Sequence, residues 1–388
     1  MITVQEAKTI LSEIPINRRT KTLPIAKSIG MFCAENIASP ISVPSFDNSA
    51  MDGYSLAFED LKSEMEISGE IKAGDSSMNK LKTGTAVRIF TGAPIPEGAD
   101  TIVKQEIVTL QKGKFVVDPS QVKLGEFVRK AGTQCQIGQE VLRIGTELSS
   151  GTVALLASLG IQEVKVYDIP KVGVILTGDE VVSSDHELQP GQIYDANGPM
   201  LRTVLSQLGI DVEFVEKVKD EAEAVENSIK ILLEKVDILI LSGGISVGDY
   251  DFVRPALQNL GVRELFYKVA QKPGKPLYAG TLGTKTIFAL PGNPSSSLSC
   301  FRIYVSPFIR KFFGADHAFE TQFKFPLAES FQNDSSLTFF FKCVLKAGEI
   351  HLLSGQESFN LIAFNQATGL VEIPASNQKE QVFNYYPF

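Results

Sequence analysis

Between residues 170 and 315, short apolar runs alternate with helix-patterned stretches, and few folds accept that alternation. "KVGVIL" and "DILIL" are too short for buried helices, so they read as strands covered on both faces. "DVEFVEKV" and "TIFAL" read as two more strands. "NGPMLRTVLSQLG" has helical spacing, with Asn197 as a candidate cap and Gly209 as its stop. "EAEAVENSIKILLEKV", "DFVRPALQNLG" and "SSSLSCFRIYVSPFIRKFFG" supply further helices. This alternation predicts a central doubly wound, mostly parallel α/β domain.

The flanks read differently. "TVQEAKTILSEI" places Val4, Ala7, Ile10, Leu11 and Ile14 at the spacing of an amphipathic helix. From about residue 40 to 140, runs such as "TAVRIF", "TIVKQEIV" and "KFVVD" are separated by Gly and Pro, as in a small β-rich domain. "LSSGTVALLASLG" then restores a helix that packs back on the N-terminal segment, which makes the β-rich part an insertion. The chain returns to short strands in a small C-terminal β domain. The division expected is therefore a multidomain α/β plus β protein: residues 1–43 and 135–169 as an N-terminal helical and linker domain, 44–134 as the inserted β-rich domain, 170–315 as the α/β domain and 316–388 as the C-terminal β domain.

Composition excludes several classes. With 44% hydrophobic and 21% charged residues the chain reads as a soluble globular protein. No run approaches the roughly 20 apolar residues of a membrane span, and "MITVQEAKTI" lacks the basic and apolar regions of a signal peptide. Cys33, Cys135, Cys300 and Cys343 are scattered with no CxxC, which suits reduced, buried thiols in a cytoplasmic compartment. His186, His317 and His351 share no ligand or triad spacing, so zinc chemistry is not expected. A net charge of −8 argues against a nucleic-acid partner. It leaves room for a small anion held by local lysines.

Each polar, glycine-rich string in the α/β region follows an expected strand: "TGDE" (177–180), "KDEAE" (219–223), "SGGISVGDYD" (242–251), "KPGK" (272–275) and "PGNPSS" (291–296). Loops at the carboxyl ends of parallel strands share one edge of the sheet, where open α/β folds bind ligands. Gly243, Gly244 and Gly248 let the backbone approach a ligand closely, and Ser242, Ser246, Asp249 and Asp251 add polarity that a plain turn does not need. Lys268, Lys272 and Lys275 in "YKVAQKPGKP" suit a phosphate or oxyanion, with Pro273, Gly274 and Pro276 fixing the loop. Asp179, Glu180, Asp220, Asp249 and Asp251 sit among the same loops, and carboxylates beside lysines point to a hard divalent cation, Mg²⁺, bridging carboxylate and phosphate. Asp179 and Asp251 also suit helix N-caps.

Two strings outside this region stay ambiguous on their residues alone. "SFDNSAMDGY" (45–54) puts Asp47 and Asp52 on a turn-forming stretch that turn chemistry by itself explains. "VRIFTGAPIPEGAD" (87–100) reads as a rigid loop carrying the Thr91 hydroxyl after a strand. No GxSxG string or cysteine nucleophile motif is present, so electrostatic, metal-assisted chemistry is expected over covalent catalysis.

"PSFDNSAMDGY", "RIFTGAPIPEGAD", "TGDE", "SGGISVGDYD", "KPGKP" and "LPGNPSSS" occur in the order of the molybdopterin molybdenumtransferase family, the MoeA family, to which the gephyrin E domain is related, and the whole chain resembles it. The resemblance implies a homodimer with the site between subunits and Mg²⁺-dependent cleavage of adenylylated molybdopterin, with release of AMP and insertion of molybdate into the dithiolene. It implies that Asp52, Thr91, Glu180, Asp220, Asp251, Lys268 and Lys272 are functional, with Asp52, Glu180 and Asp251 as metal ligands. It also implies that Pro291 and Pro294 shape a substrate loop beside Gly243, Gly244, Ser246 and Gly248, and that Lys272, Lys275 and Ser296 hold the oxyanion. Other proteins of molybdenum cofactor biosynthesis are the further partners it suggests.

The chain departs from the family in three places: Thr133 and Gln134 are neutral where an acidic residue is usual, Lys342 replaces an arginine, and Ile362 and Ala363 replace paired serines. Lysine keeps the charge but loses the bidentate fork. Two other readings stand beside the transferase. A molybdopterin adenylyltransferase resembles the α/β unit alone, and a pterin-binding scaffold or carrier would not need the carboxylate and lysine set.

Overall fold

The computed structural model describes residues 1–75, 80–245, 252–321, 323–376 and 382–388. They form two compact units: Met1–Thr22 with Lys165–Phe388, and Leu23–Val164, so the second interrupts the first along the chain.

The first unit is built on a six-stranded sheet. Its strands are β1 (Val172–Thr177), β2 (Phe214–Val218), β3 (Ile238–Ser242), β4 (Arg263–Tyr267), β5 (Tyr278–Leu282) and β6 (Lys285–Leu290), in the order β2-β1-β3-β6-β5-β4. β2, β1, β3 and β6 run parallel. β5 is antiparallel to both β6 and β4, so β4 again ends at the edge where the parallel strands end. β1 and β3 are buried along their whole length, which is why their sequences are continuously apolar and not alternating.

Helices cover this sheet through apolar stripes. Ala222–Lys235 buries Val225, Ile229, Leu232 and Leu233, a spacing that faces one side of a helix. A Cβ on Gly173 of β1 would lie 3.1 Å from both Leu232 and Val236, so that helix seats close to the strand. The helix Asn197–Gln207 corrects one expectation: Ala196 is its N-cap and Asn197 its first residue. The capping role falls to Asp195, whose Oδ1 accepts from the Gly198 N–H at 2.9 Å, and Asn197 is released for another contact. The last long helical stretch is Pro294–Cys300, a π turn at Phe301–Val305, and Ser306–Phe312.

The helix Val4–Glu13 starts with a capping box, in which Thr3 Oγ1 accepts from Glu6 N and Glu6 Oε2 accepts from Thr3 N. Its stripe includes Lys8, buried with its ammonium donating to Glu372 Oε2 at 3.0 Å and to the Tyr386 hydroxyl at 2.6 Å. Glu372 lies in a second sheet, made of Thr338–Lys346, Gly369–Ile373, Phe383–Pro387, Lys324–Phe325 and Glu349–Leu352. The dipeptide Gln271–Lys272, from the loop between β4 and β5, joins that sheet parallel to Thr338–Phe339.

The second unit carries a separate six-stranded sheet in the order Thr101–Lys104, Gly53–Leu56, Thr85–Ile89, Glu64–Ile71, Lys114–Val116, Thr109–Gln111. Leu56, Ala86, Phe115 and Val103 pack one face and Ile71, Ile89 and Ile102 the other. The helix Ser150–Ser158 packs on the short helix Ile25–Lys27.

Candidate active site

A cleft of about 390 Å³ opens at the carboxyl ends of β1, β2, β3 and β6, within the usual size of a small-molecule site. Each strand contributes residues at or after its end: Thr177 closing β1 and Glu180 after it, Asp220 after β2, Gly243 and Gly244 after β3, Pro291 and Pro294 after β6. The two glycines are needed where they stand. Gly243 and Gly244 have φ of +95° and +60°, and a Cβ on either would lie under 3 Å from Thr177 atoms. The β3 loop can therefore pass directly against the end of β1 only without side chains.

The acidic side of the cleft is electrostatically crowded. Burial, then the charges of Asp179 and Glu180, push the half-buried Asp220 carboxyl above its usual range. The Asp220 N–H donates to Asp179 Oδ1 at 3.2 Å, which keeps the two acidic loops together. Crowded carboxylates of this kind suit a divalent cation, whose charge relieves their repulsion. No group of three or more His, Cys, Asp or Glu among the described residues is arranged to hold a metal ion. Asp251, expected as a ligand, lies outside the described residues, as do Ser246, Gly248 and Asp249.

Sequence reasoning missed one wall of this cleft. Ile193, Tyr194, Asp195 and Asn197 line it, from "IYDANG" between two elements. Asn197 Nδ2 donates to Gly292 O at 2.7 Å, which fixes the way its amide faces. Its Oδ1 is buried and finds no partner among the described residues. Ile193 and Tyr194, 55% and 47% exposed, give the same wall an apolar surface for a heterocycle. The string reads as a helix start, and its polar residues alone do not separate capping from binding.

The lysines stand apart from this lining. Lys268, Lys272 and Lys275 are not among the residues lining the cleft, although Pro276, next in the chain, is. Lys268 is half-buried at a φ of +69°, with its ammonium 4.8 Å from the Tyr267 ring. Lys272 and Lys275 are exposed, while Gln271, Pro273 and Gly274 between and beside them are buried. Ser296 is buried behind this loop, with its carbonyl 3.5 Å from where a Cβ on Gly274 would be. Within this unit the loop after β6 also reaches the connection between Glu349–Leu352 and Gly369–Ile373, through Asn293 Nδ2 donating to Ser358 Oγ at 3.3 Å.

In the second unit, the two aspartates of residues 45–54 have separate roles. Asp47 accepts from Lys130 Nζ and the Ala131 N–H, both at 2.8 Å, and so ties two loops. Asp52 Oδ1 accepts from both the N–H and the hydroxyl of Thr91, each at 2.8 Å. These bonds hold the Asp52 carboxyl below its usual range. Two residues singled out from different strings thus form one contact.

The C-terminal departures also have a structural account. Lys342 is 2% exposed and its ammonium donates to the carbonyls of Asn360 (2.9 Å) and Glu357 (3.3 Å), 5.0 Å from the Phe364 ring. It clasps the loop that carries Ile362 and Ala363. All four cysteines are buried and free of disulfides. No helix of the described residues is long and apolar enough to cross a membrane.

Comparison with known proteins agrees with this geometry. Residues 2–160 match the family model described as the MoeA N-terminal region (domain I and II), and residues 173–311 match the probable molybdopterin binding domain. The chain is 39% identical over 317 residues to a molybdopterin molybdenumtransferase of Haemophilus influenzae, covering 81% of this chain and 78% of that protein. It is 34% identical over 380 residues to one of a Nostoc species, covering 95% and 86%. A solved structure of a molybdopterin biosynthesis MoeA protein from Pyrococcus horikoshii superposes with a TM-score of 0.84 at 25% identity, covering all of both chains.

Proposed function

This chain belongs to the molybdopterin molybdenumtransferase family, and on that premise we propose that it inserts molybdate into adenylylated molybdopterin with Mg²⁺ and releases AMP, as a cytoplasmic homodimer in molybdenum cofactor biosynthesis. One observation carries the reading. Two carboxylates, Glu180 and Asp220, and two glycines in left-handed conformation line a single cleft at the carboxyl ends of the strands. That combination suits a phosphoric anhydride, which needs its charge offset and its oxygens approached by backbone.

The roles divide by chemistry. By the family resemblance Asp52, Glu180 and Asp251 are the proposed cation ligands, and Asp220 supplies further negative charge beside Glu180. When bound, Mg²⁺ polarises the phosphoryl oxygens and stabilises the charge left on AMP. Thr91 orients Asp52 through two hydrogen bonds. Pro291 and Pro294 stiffen the loop at the cleft wall, and Asn197 braces the same loop through its bond to Gly292 O. Lys268, Lys272 and Lys275, with Ser296 behind them, form the oxyanion side, where ammonium groups balance molybdate. Lys342 commits two of its three donors to Glu357 and Asn360, which supports a role in holding that loop.

The homodimer rests on the family resemblance. The test of the function is AMP release from adenylylated molybdopterin with Mg²⁺, with and without molybdate. Release that depends on molybdate supports the transferase. Tight binding with no release under either condition would favour a carrier instead.

A further inference from the structure

The exposed lysines 272 and 275 sit on a loop whose conformation is set from below by one buried amide. Gln271 is 1% exposed, and its Nε2 donates to the carbonyls of Pro273 (3.2 Å) and Gly274 (3.1 Å). The amide nitrogen is thus turned to the backbone between the two lysines, with Cys300 Sγ as a third, longer contact at 3.5 Å. Its Oε1 accepts from the hydroxyl of Tyr304, which is fully buried in the π turn Phe301–Val305. The wide turn is a local departure from α geometry of the kind that recurs at functional sites. Gly274 closes the arrangement: its φ is +82°, a Cβ there would lie 2.4 Å from Cys300 Sγ, and that thiol donates to the Gly274 carbonyl at 3.6 Å.

From these contacts we infer that Gln271, oriented by Tyr304, is a positioning residue that presets Lys272 and Lys275 to receive the oxyanion. The inference rests on the oxyanion role proposed above for the lysines. Side chains as long as lysine lose much freedom when they converge on one ion, and a rigid loop reduces that loss because the backbone is already placed. The buried amide is the only described group that fixes both peptide carbonyls between the lysines. Neither Gln271 nor Tyr304 lines the cleft, so neither touches the pterin nucleotide in this reading.

The experiment measures molybdate-dependent AMP release from adenylylated molybdopterin in the full-length protein, across molybdate concentrations, for Tyr304→Phe, Gln271→Glu, Lys272→Ala and Lys275→Ala. Tyr304→Phe keeps the shape and removes one hydroxyl, so it remains informative if Gln271→Glu fails to fold. The inference predicts that Tyr304→Phe raises the half-saturating molybdate concentration about tenfold, the equivalent of one hydrogen bond, with the rate at saturating molybdate within about twofold of wild type. A loss of rate at all molybdate concentrations alike would mean a structural role only and overturns the inference. Unchanged molybdate dependence in Tyr304→Phe and Gln271→Glu, with raised half-saturation in the lysine variants, rejects the positioning role and leaves the lysines' role standing. Unchanged dependence in the lysine variants rejects the oxyanion loop itself.

Discussion

Replacing Gly274 by alanine should damage the lysine loop in a way that a second substitution partly repairs. The glycine has a φ of +82°, where a Cβ costs about 1–2 kcal/mol. That Cβ would also lie 2.4 Å from Cys300 Sγ and 3.1 Å from Gln271 Nε2. Forcing an extra carbon into such a packed place costs about 1–3 kcal/mol more. Gly274→Ala should therefore destabilise the first unit by about 2–5 kcal/mol, and a shift of about 2–4 °C per kcal/mol is expected for a unit of this size. Cys300→Ala removes the atom that clashes most. In the double variant the largest steric part should vanish, while the Gln271 contact and the backbone part remain, so a thermal-melt cycle should show a favourable coupling of about 1–3 kcal/mol. Strictly additive effects, or an alanine at 274 that leaves the melting temperature unchanged, would refute the claim that this loop is packed directly on the helix Pro294–Cys300.

Three further outcomes test other parts of the account. Asp52→Asn keeps an oxygen to accept both Thr91 bonds but removes the charge, so turnover should fall about 100-fold or more while the melting temperature stays within a few degrees; near-normal turnover would remove Asp52 from the metal site. Asp220 has a raised pKa in the folded state, so by itself it favours folding at acid pH and loses that contribution as pH rises through the raised value. A bound cation needs the ionised carboxylate, so Mg²⁺ should raise the melting temperature more at neutral than at mildly acid pH, and Asp220→Asn should flatten that difference; a Mg²⁺ effect independent of pH in wild type contradicts it. Lys342→Ala leaves two part-buried carbonyls without their donor and opens a cavity where the buried lysine stem was, so it should cost about 2–4 kcal/mol in stability with molybdate dependence unchanged, whereas a selective loss of molybdate use would make Lys342 an oxyanion ligand after all.

Much of the fold was legible where burial is complete on both faces. "KVGVIL" and "DILIL" became β1 and β3 because a run with no polar alternation fits a covered parallel strand. The glycines after β3 were legible for a related reason, since a paired glycine beside polar residues marks a backbone approach. The antiparallel turn of β5 between β4 and β6 was not visible, because periodicity reports burial and not direction. Lys8 shows the same limit, since it occupies the apolar stripe of its helix with a partner, Glu372, far along the chain. Asn197 was read as a cap because its residue type suits both capping and binding, and only the Asp195 bond to Gly198 separates them. The Gln271–Tyr304 contact joins residues 33 positions apart and has no local pattern at all.

The most direct test of the central claim is to follow both products in one reaction: AMP released, and molybdenum bound to the pterin, from adenylylated molybdopterin with Mg²⁺ and molybdate. The account predicts equal amounts of the two, rising together and both absent without Mg²⁺. AMP release with no molybdenum on the pterin would contradict it, and would make the cleft a site for anhydride hydrolysis alone.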